Sequence, residues 1–265
     1  MKKILCCIAF TIAFGVLAAH EFWLEPERFF YRRGESMKLK FVVGENFNGE
    51  NWSGNREKVA SLTLHTEKGM RSLAGLITAN KGDSLGLILD EEGTQAICFN
   101  STNSFINLDA KEFNAYLAED RLSEAADYRM KHHETDSAGR EYYQRSVKTL
   151  MQVGDKTTQS CTLPMALPLD LVPLQNPYNL NDDDSLTIRV LFKGKPLAGQ
   201  FMQVWHRNRE IFLKVQYRTN NNGEFSFPVL TKSKWMVSTV RMERLKNNAM
   251  ADWQSYWASI TWGYK

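Results

Sequence analysis

Five histidines and a pair of cysteines beyond the leader are the side chains of this sequence best suited to holding a transition metal. If the chain is processed so that His20 leads, its α-amine and imidazole form a bidentate nitrogen pair. Nickel(II) and copper(II) favour such sets, and binding strengthens as the amine loses its proton near neutral pH. His65 lies in the run Ser-Leu-Thr-Leu-His-Thr, on a polar face with Ser61 and Thr63, and His206 follows Trp205 at a strand end. Both are candidates to complete a shell around His20, the ordinary alternative being a solvated or packed ring. His132-His133 with Glu134 and Asp136 could chelate only from an irregular loop, because adjacent residues of a regular element point apart. Asp182-Asp183-Asp184 lacks the spacing of a calcium loop and reads as a turn. Met165, Met202, Met236 and Met242 sit among apolar residues and read as core rather than as copper(I) ligands.

The case for His20 rests on the leader. Lys2 and Lys3, the apolar run from Ile4 to Val16 and the small residues that follow have the layout of a secretory signal, cut after Ala19 or Ala18. A periplasmic or secreted product follows, with no later stretch apolar enough to span a membrane. What is left suffices for one large domain or two ordinary ones. A formal charge of +3, most of it in the leader, disfavours a nucleic-acid partner. Cys98 and Cys161 in an oxidising compartment are expected to form a disulfide, worth about 4 kcal/mol in the chain-entropy account. No phosphate-binding glycine loop, Gly-x-Ser-x-Gly elbow or His-Glu-x-x-His appears, so an enzyme is not expected.

The elements that must position these residues are mostly strands. Short β-favouring runs at 21–24, 37–44, 59–66, 85–89 and 94–100 predict a first sandwich over residues 20–164. A helical insertion interrupts it near 109–131, opened by Asp109 as cap with Glu112 three residues on. Residues 140–154 suit either a helix or a strand, with the later half favouring a strand. Prolines 164, 168, 173 and 177 mark an extended connector, placing a boundary near 165. Beyond it, runs at 185–192, 201–206, 211–219, 224–229, 234–242 and 255–263 predict an immunoglobulin-like or transthyretin-like sandwich. Asn220-Asn221-Asn222-Gly223 is read as the turn of a hairpin joining 211–219 to 224–229.

Taken together, HEFWLEP, GENF, KEFNAYLAEDRL, REYYQRSVKTLMQVGD, LPLDLVPLQNPYNL, VLFKGKPLAG and ADWQSYWASITWGY resemble a secreted bacterial family. That family is catalogued under a domain of unknown function and often described as a periplasmic component of nickel and cobalt transport. The resemblance implies a two-part β protein with an immunoglobulin-like second half. It also implies a divalent metal, nickel or cobalt before copper, and a metal transporter as partner. Where members often carry a histidine after a Trp-leading strand, this chain has Arg241, which would weaken or remove a ligand there. The competing expectation is an envelope adhesion or scaffolding module that grips a protein or glycan through Trp257 and Trp262. A copper-dependent oxidase is a distant third.

Overall fold

A computed structural model describes residues 21–77, 84–209 and 211–264. The fold is mainly β, as expected, and its organising element is the 15-residue strand Gly139–Val153. Both readings of that segment are settled by burial: its even residues Lys148 and Leu150 face one side while Val147, Met151 and Val153 pack on the other. Such alternation needs the period of two that a strand provides.

This strand lies inside a ten-stranded sheet whose main order is Ile211–Arg218, Phe201–Asn208, Lys234–Arg244, Trp253–Gly263, Gly139–Val153, Gly93–Ser101, Val59–Thr66 and Gly69–Ser72. Two short strands, Phe30–Tyr31 and Ser104–Leu108, add to the central one. Gly139–Val153 pairs in parallel with Trp253–Gly263, Glu141 opposite Trp253 and Thr149 opposite Thr261. The sheet therefore runs without a break between strands from before and after residue 165.

A four-stranded sheet of Glu21–Pro26, Ser36–Glu45, Asn48–Asn51 and Ser84–Ile88 covers one face. Phe22, Leu24, Phe41 and Leu85 there pack against Leu62, Phe99, Val147 and Met151 of the central sheet. A second four-stranded sheet, Leu169–Pro173, Ser185–Phe192, Lys195–Pro196 and Glu224–Pro228, covers the other, burying Leu171, Ile188 and Phe227 on Cys98, Leu150, Trp235 and Trp262. Two β-sandwiches thus share one middle sheet.

The expected hairpin across residues 220–223 does not form. The turn itself is present, with Gly223 at φ +72° and the Asn220 side chain accepting from Asn222 and Glu224. Yet Ile211–Arg218 pairs with Phe201–Asn208, whereas Glu224–Pro228 crosses to pair with Ser185–Phe192. Crossing buries Phe225 and Phe227 between layers, against Tyr217 and Trp235, which a flat hairpin would leave wet.

Helices α1 (Ala110–Glu119) and α2 (Ser123–Lys131) sit where the insertion was expected. Asp109 caps α1 by accepting from the Glu112 N–H at 2.8 Å, a contact worth about 1 kcal/mol. Phe113 of α1 rests directly on Gly139, where an added Cβ would come within 2.2 Å of the ring. The pair is seated on Val240, Met242 and Trp253, beside the first covering sheet.

Candidate functional site

Among the described residues the histidines do not converge on one site. His20 lies outside the described residues. His206 is buried, with Nε2 2.7 Å from Ser233 Oγ and its ring 4.4 Å from that of Trp235. His65 is hydrogen-bonded to Thr63 Oγ1 at 3.0 Å. Burial lowers the pKa of both rings, and the Lys148 ammonium adds to the effect on His65. Five strand-to-strand steps separate their strands, roughly 24 Å at sheet spacing, so the two cannot share an ion. His132 Nδ1 donates to the Tyr128 carbonyl and stacks on that ring at 3.9 Å, ending α2. Asp182 accepts from Thr231 and Asp184 from Asn181, which makes this acidic run a turn. Met165, Met202, Met236 and Met242 are all buried in the core.

The expected disulfide is also absent. Cys98 and Cys161 stay as buried thiols in one core cluster, and Cys98 Sγ points at Met165 Sδ, 3.0 Å away. Burial pushes both thiols up to about 12, so neither is a ready nucleophile or anionic ligand. Arg241 pairs with Glu124 at 2.8 Å and lines a cavity of about 50 Å3 with Arg121 and Arg218. That setting repels a cation.

Charge collects instead in a polar seam between the helices and the first covering sheet. Glu21, Asp120 and Glu141 meet this seam from three distant parts of the sequence, each less than a tenth exposed. Glu141 is on the helical face of the central strand, where Oε1 accepts from Ser255 Oγ and, at 3.3 Å, from Tyr116 OH. Trp257 Nε1 donates to the same Ser255 at 3.1 Å, and its ring stacks on Tyr116. Glu21 accepts from Ser238 Oγ at 2.8 Å, and Ser238 in turn accepts from Trp205 Nε1. Asp120 is the C-cap of α1, at the negative end of the helix dipole. Among the described residues, Asp120 Oδ2 and Glu141 Oε2 are buried with no hydrogen-bond partner.

Burying a carboxylate without a partner is costly, so such groups hold a proton or wait for a cation. Desolvation raises Glu21 to about 7, the Ser238 hydrogen bond and the Lys214 and Arg145 charges opposing it. It likewise raises Glu141 to about 7 against Ser255 and Tyr116. Asp120 is raised well above its ordinary value, first by burial and then by Glu21, Glu119 and Glu141. A cleft of about 770 Å3, lined by Gly44, Glu45, Glu50, Tyr143 and Arg145, opens beside the Glu21 strand. Among the described residues no three His, Cys, Asp or Glu side chains gather closely enough to hold a metal alone.

None of these acids stood out in the sequence. Glu141 carried the one usable signal, a carboxylate in phase with the inward-facing Val147 and Met151. Asp120 and Glu21 gave none, because only folding brings their segments together.

A family model described as "Domain of unknown function (DUF4198)" matches residues 17–243. The chain belongs to the DUF4198 family. No curated protein matches it. Solved structures similar to this DUF4198 chain are remote. The D0-D1 domain of Intimin is 11% identical with a TM-score of 0.22, over 91% of this chain and 97% of that one. A DUF4785 family protein from Legionella pneumophila subsp. pneumophila str. Philadelphia 1 is 11% identical with a TM-score of 0.25, over 81% and 50%. A Salmonella alpha-2-macroglobulin mutant is 14% identical with a TM-score of 0.22, over 98% of this chain and 16% of its own. Likeness at this level says nothing about what a DUF4198 protein does. Among the described residues no helix is long and apolar enough to cross a membrane.

Proposed function

We propose that the protein binds a divalent transition metal, nickel or cobalt, outside the cytoplasm and serves its uptake or buffering beside a metal transporter. The supporting observation is the pair of unpartnered, buried carboxylate oxygens in the seam that Glu21 enters, one peptide bond from His20. Glu21 follows His20 directly in the chain, and the amine and imidazole at position 20 are the nitrogens assigned to the same ion. Two nitrogens and one or two carboxylates make a plausible set for nickel or cobalt. An ion would also take the place of the protons that burial favours on these acids. His65 and His206 drop out of this shell.

The test compares protein beginning at His20 with a version carrying one additional alanine in front. Titration calorimetry with nickel and cobalt is expected to show at least about tenfold weaker binding by the extended form, equivalent to about 1.4 kcal/mol. Glu141→Gln should weaken binding as well. Equal affinities for the two termini would remove the reading.

One observation favours the scaffolding alternative, though not through the aromatic C-terminus. Ile211–Arg218 is an edge strand whose Ile211, Leu213 and Val215 are 62%, 53% and 47% exposed. An apolar edge with open backbone groups invites pairing with another strand. Leu213→Lys is expected to leave the unfolding free energy unchanged within about 0.5 kcal/mol, while reducing self-association in sedimentation at high concentration. Unchanged sedimentation would count against edge pairing.

A further inference from the structure

On the opposite face of the central sheet the structure buries an ion pair, with His65 near enough to feel both charges. Lys148 Nζ contacts Asp170 Oδ1, and the two side chains are 1% and 2% exposed. Lys148 belongs to the central strand and Asp170 to the covering strand Leu169–Pro173, so the contact ties two layers together. Around it lie Leu150, Leu169, Leu171, Cys98 and Met165. Asp170 Oδ2 is held separately, accepting the Met165 backbone N–H at 2.7 Å.

We propose that Lys148 and Asp170 condense into an intramolecular amide cross-link between the middle and covering sheets. For the bond to form, one proton passes from the Nζ ammonium to Oδ1 across the contact. The products are a neutral amine, which is a nucleophile, and a neutral carboxylic acid, which is an electrophile. Nζ attacks Cγ; charge developing on Oδ2 is met by the Met165 N–H, a fixed donor of the oxyanion-hole kind. Oδ1 then leaves as water with the protons that Nζ has given up, and an N–C bond replaces a C–O bond. The balance closes within the pair: one ammonium and one carboxylate become one amide and one water, with no oxidant or activating group. Two groups fixed in contact by packing have the high effective concentration that such a condensation needs, and exclusion of water from the site opposes hydrolysis.

The experiment is intact mass spectrometry on folded protein kept overnight and then denatured and reduced, which removes any disulfide contribution. The expected mass is one water below that of the processed chain. Proteolysis should yield a branched peptide joining Lys148 to Asp170, and Asp170→Ala should show the full mass. Wild-type protein at full mass, or a water loss mapping to other residues, would overturn the proposal. The wild-type measurement decides even if the variant fails to fold.

Discussion

Metal-free protein is expected to lose stability as the pH rises from about 6.5 to 8. Glu21 and Glu141 both titrate near 7 in the folded chain against 4.5 for an ordinary glutamate, with burial as the first cause. A carboxyl whose pKa is raised by folding stabilises the native state below its unfolded value, and that contribution fades as the pH passes the folded one. Over this window the two groups together account for about 1–2 kcal/mol. For a chain of this size that is a fall of roughly 2–8 °C in melting temperature. Asp120, raised well above its ordinary value by burial first, acts in the same direction. The lower limit of the window matters, because His65 and His206 are lowered by burial and stabilise the fold as the pH climbs toward 6.5. Asp182 and Asp252, lowered by Thr231 and Arg140, act only at acid pH. Glu141→Gln should roughly halve the slope. Saturating nickel should reverse its sign, since a cation binds the deprotonated acids. Calorimetry showing a metal-free melting temperature that is flat or rising across this window would refute the account of the seam.

Replacing Trp262 by alanine is expected to cost about 3–5 kcal/mol, the usual range for emptying a large aromatic site in a core. Trp262 is fully buried and stacks on Trp235 at 6.0 Å and 4°, with Phe227 of the covering sheet beside it. The cavity would open between the middle sheet and its cover, where neither sheet can relax without giving up strand pairs. Denaturant unfolding followed by fluorescence measures the loss. Loss of ligand binding in this variant would therefore report unfolding and not a missing contact. Trp257, half-buried and stacked on Tyr116, is the informative comparison. Trp257→Ala should cost less and should change the seam through Ser255. A Trp262→Ala protein within about 1 kcal/mol of wild type would contradict the shared-core arrangement.

Several elements could be read directly from residue order. Asp109 with Glu112 announced α1, and alternating runs announced most of the long strands, because caps and periodicity are local properties. The sequence 220–223 specified a turn equally well. Its local chemistry, however, is the same whether the chain doubles back in one sheet or crosses to another, and burial of Phe225 and Phe227 chose the crossing.

The candidate site was far less legible. The histidines drew notice as good ligands in isolation, yet His65 and His206 lie on distant strands and are engaged by Thr63 and Ser233. The two cysteines were near enough to share a core, but one thiol turned to Met165.

By itself, then, residue order determined the β class, the helical insertion and the family, since these depend on patterns within short segments. Tertiary structure alone decided that one sheet serves both halves and that Glu21, Asp120 and Glu141 meet in a water-poor seam. A carboxylate becomes unusual through what surrounds it. Residues 21 to 120 positions apart supply those surroundings only after the layers close.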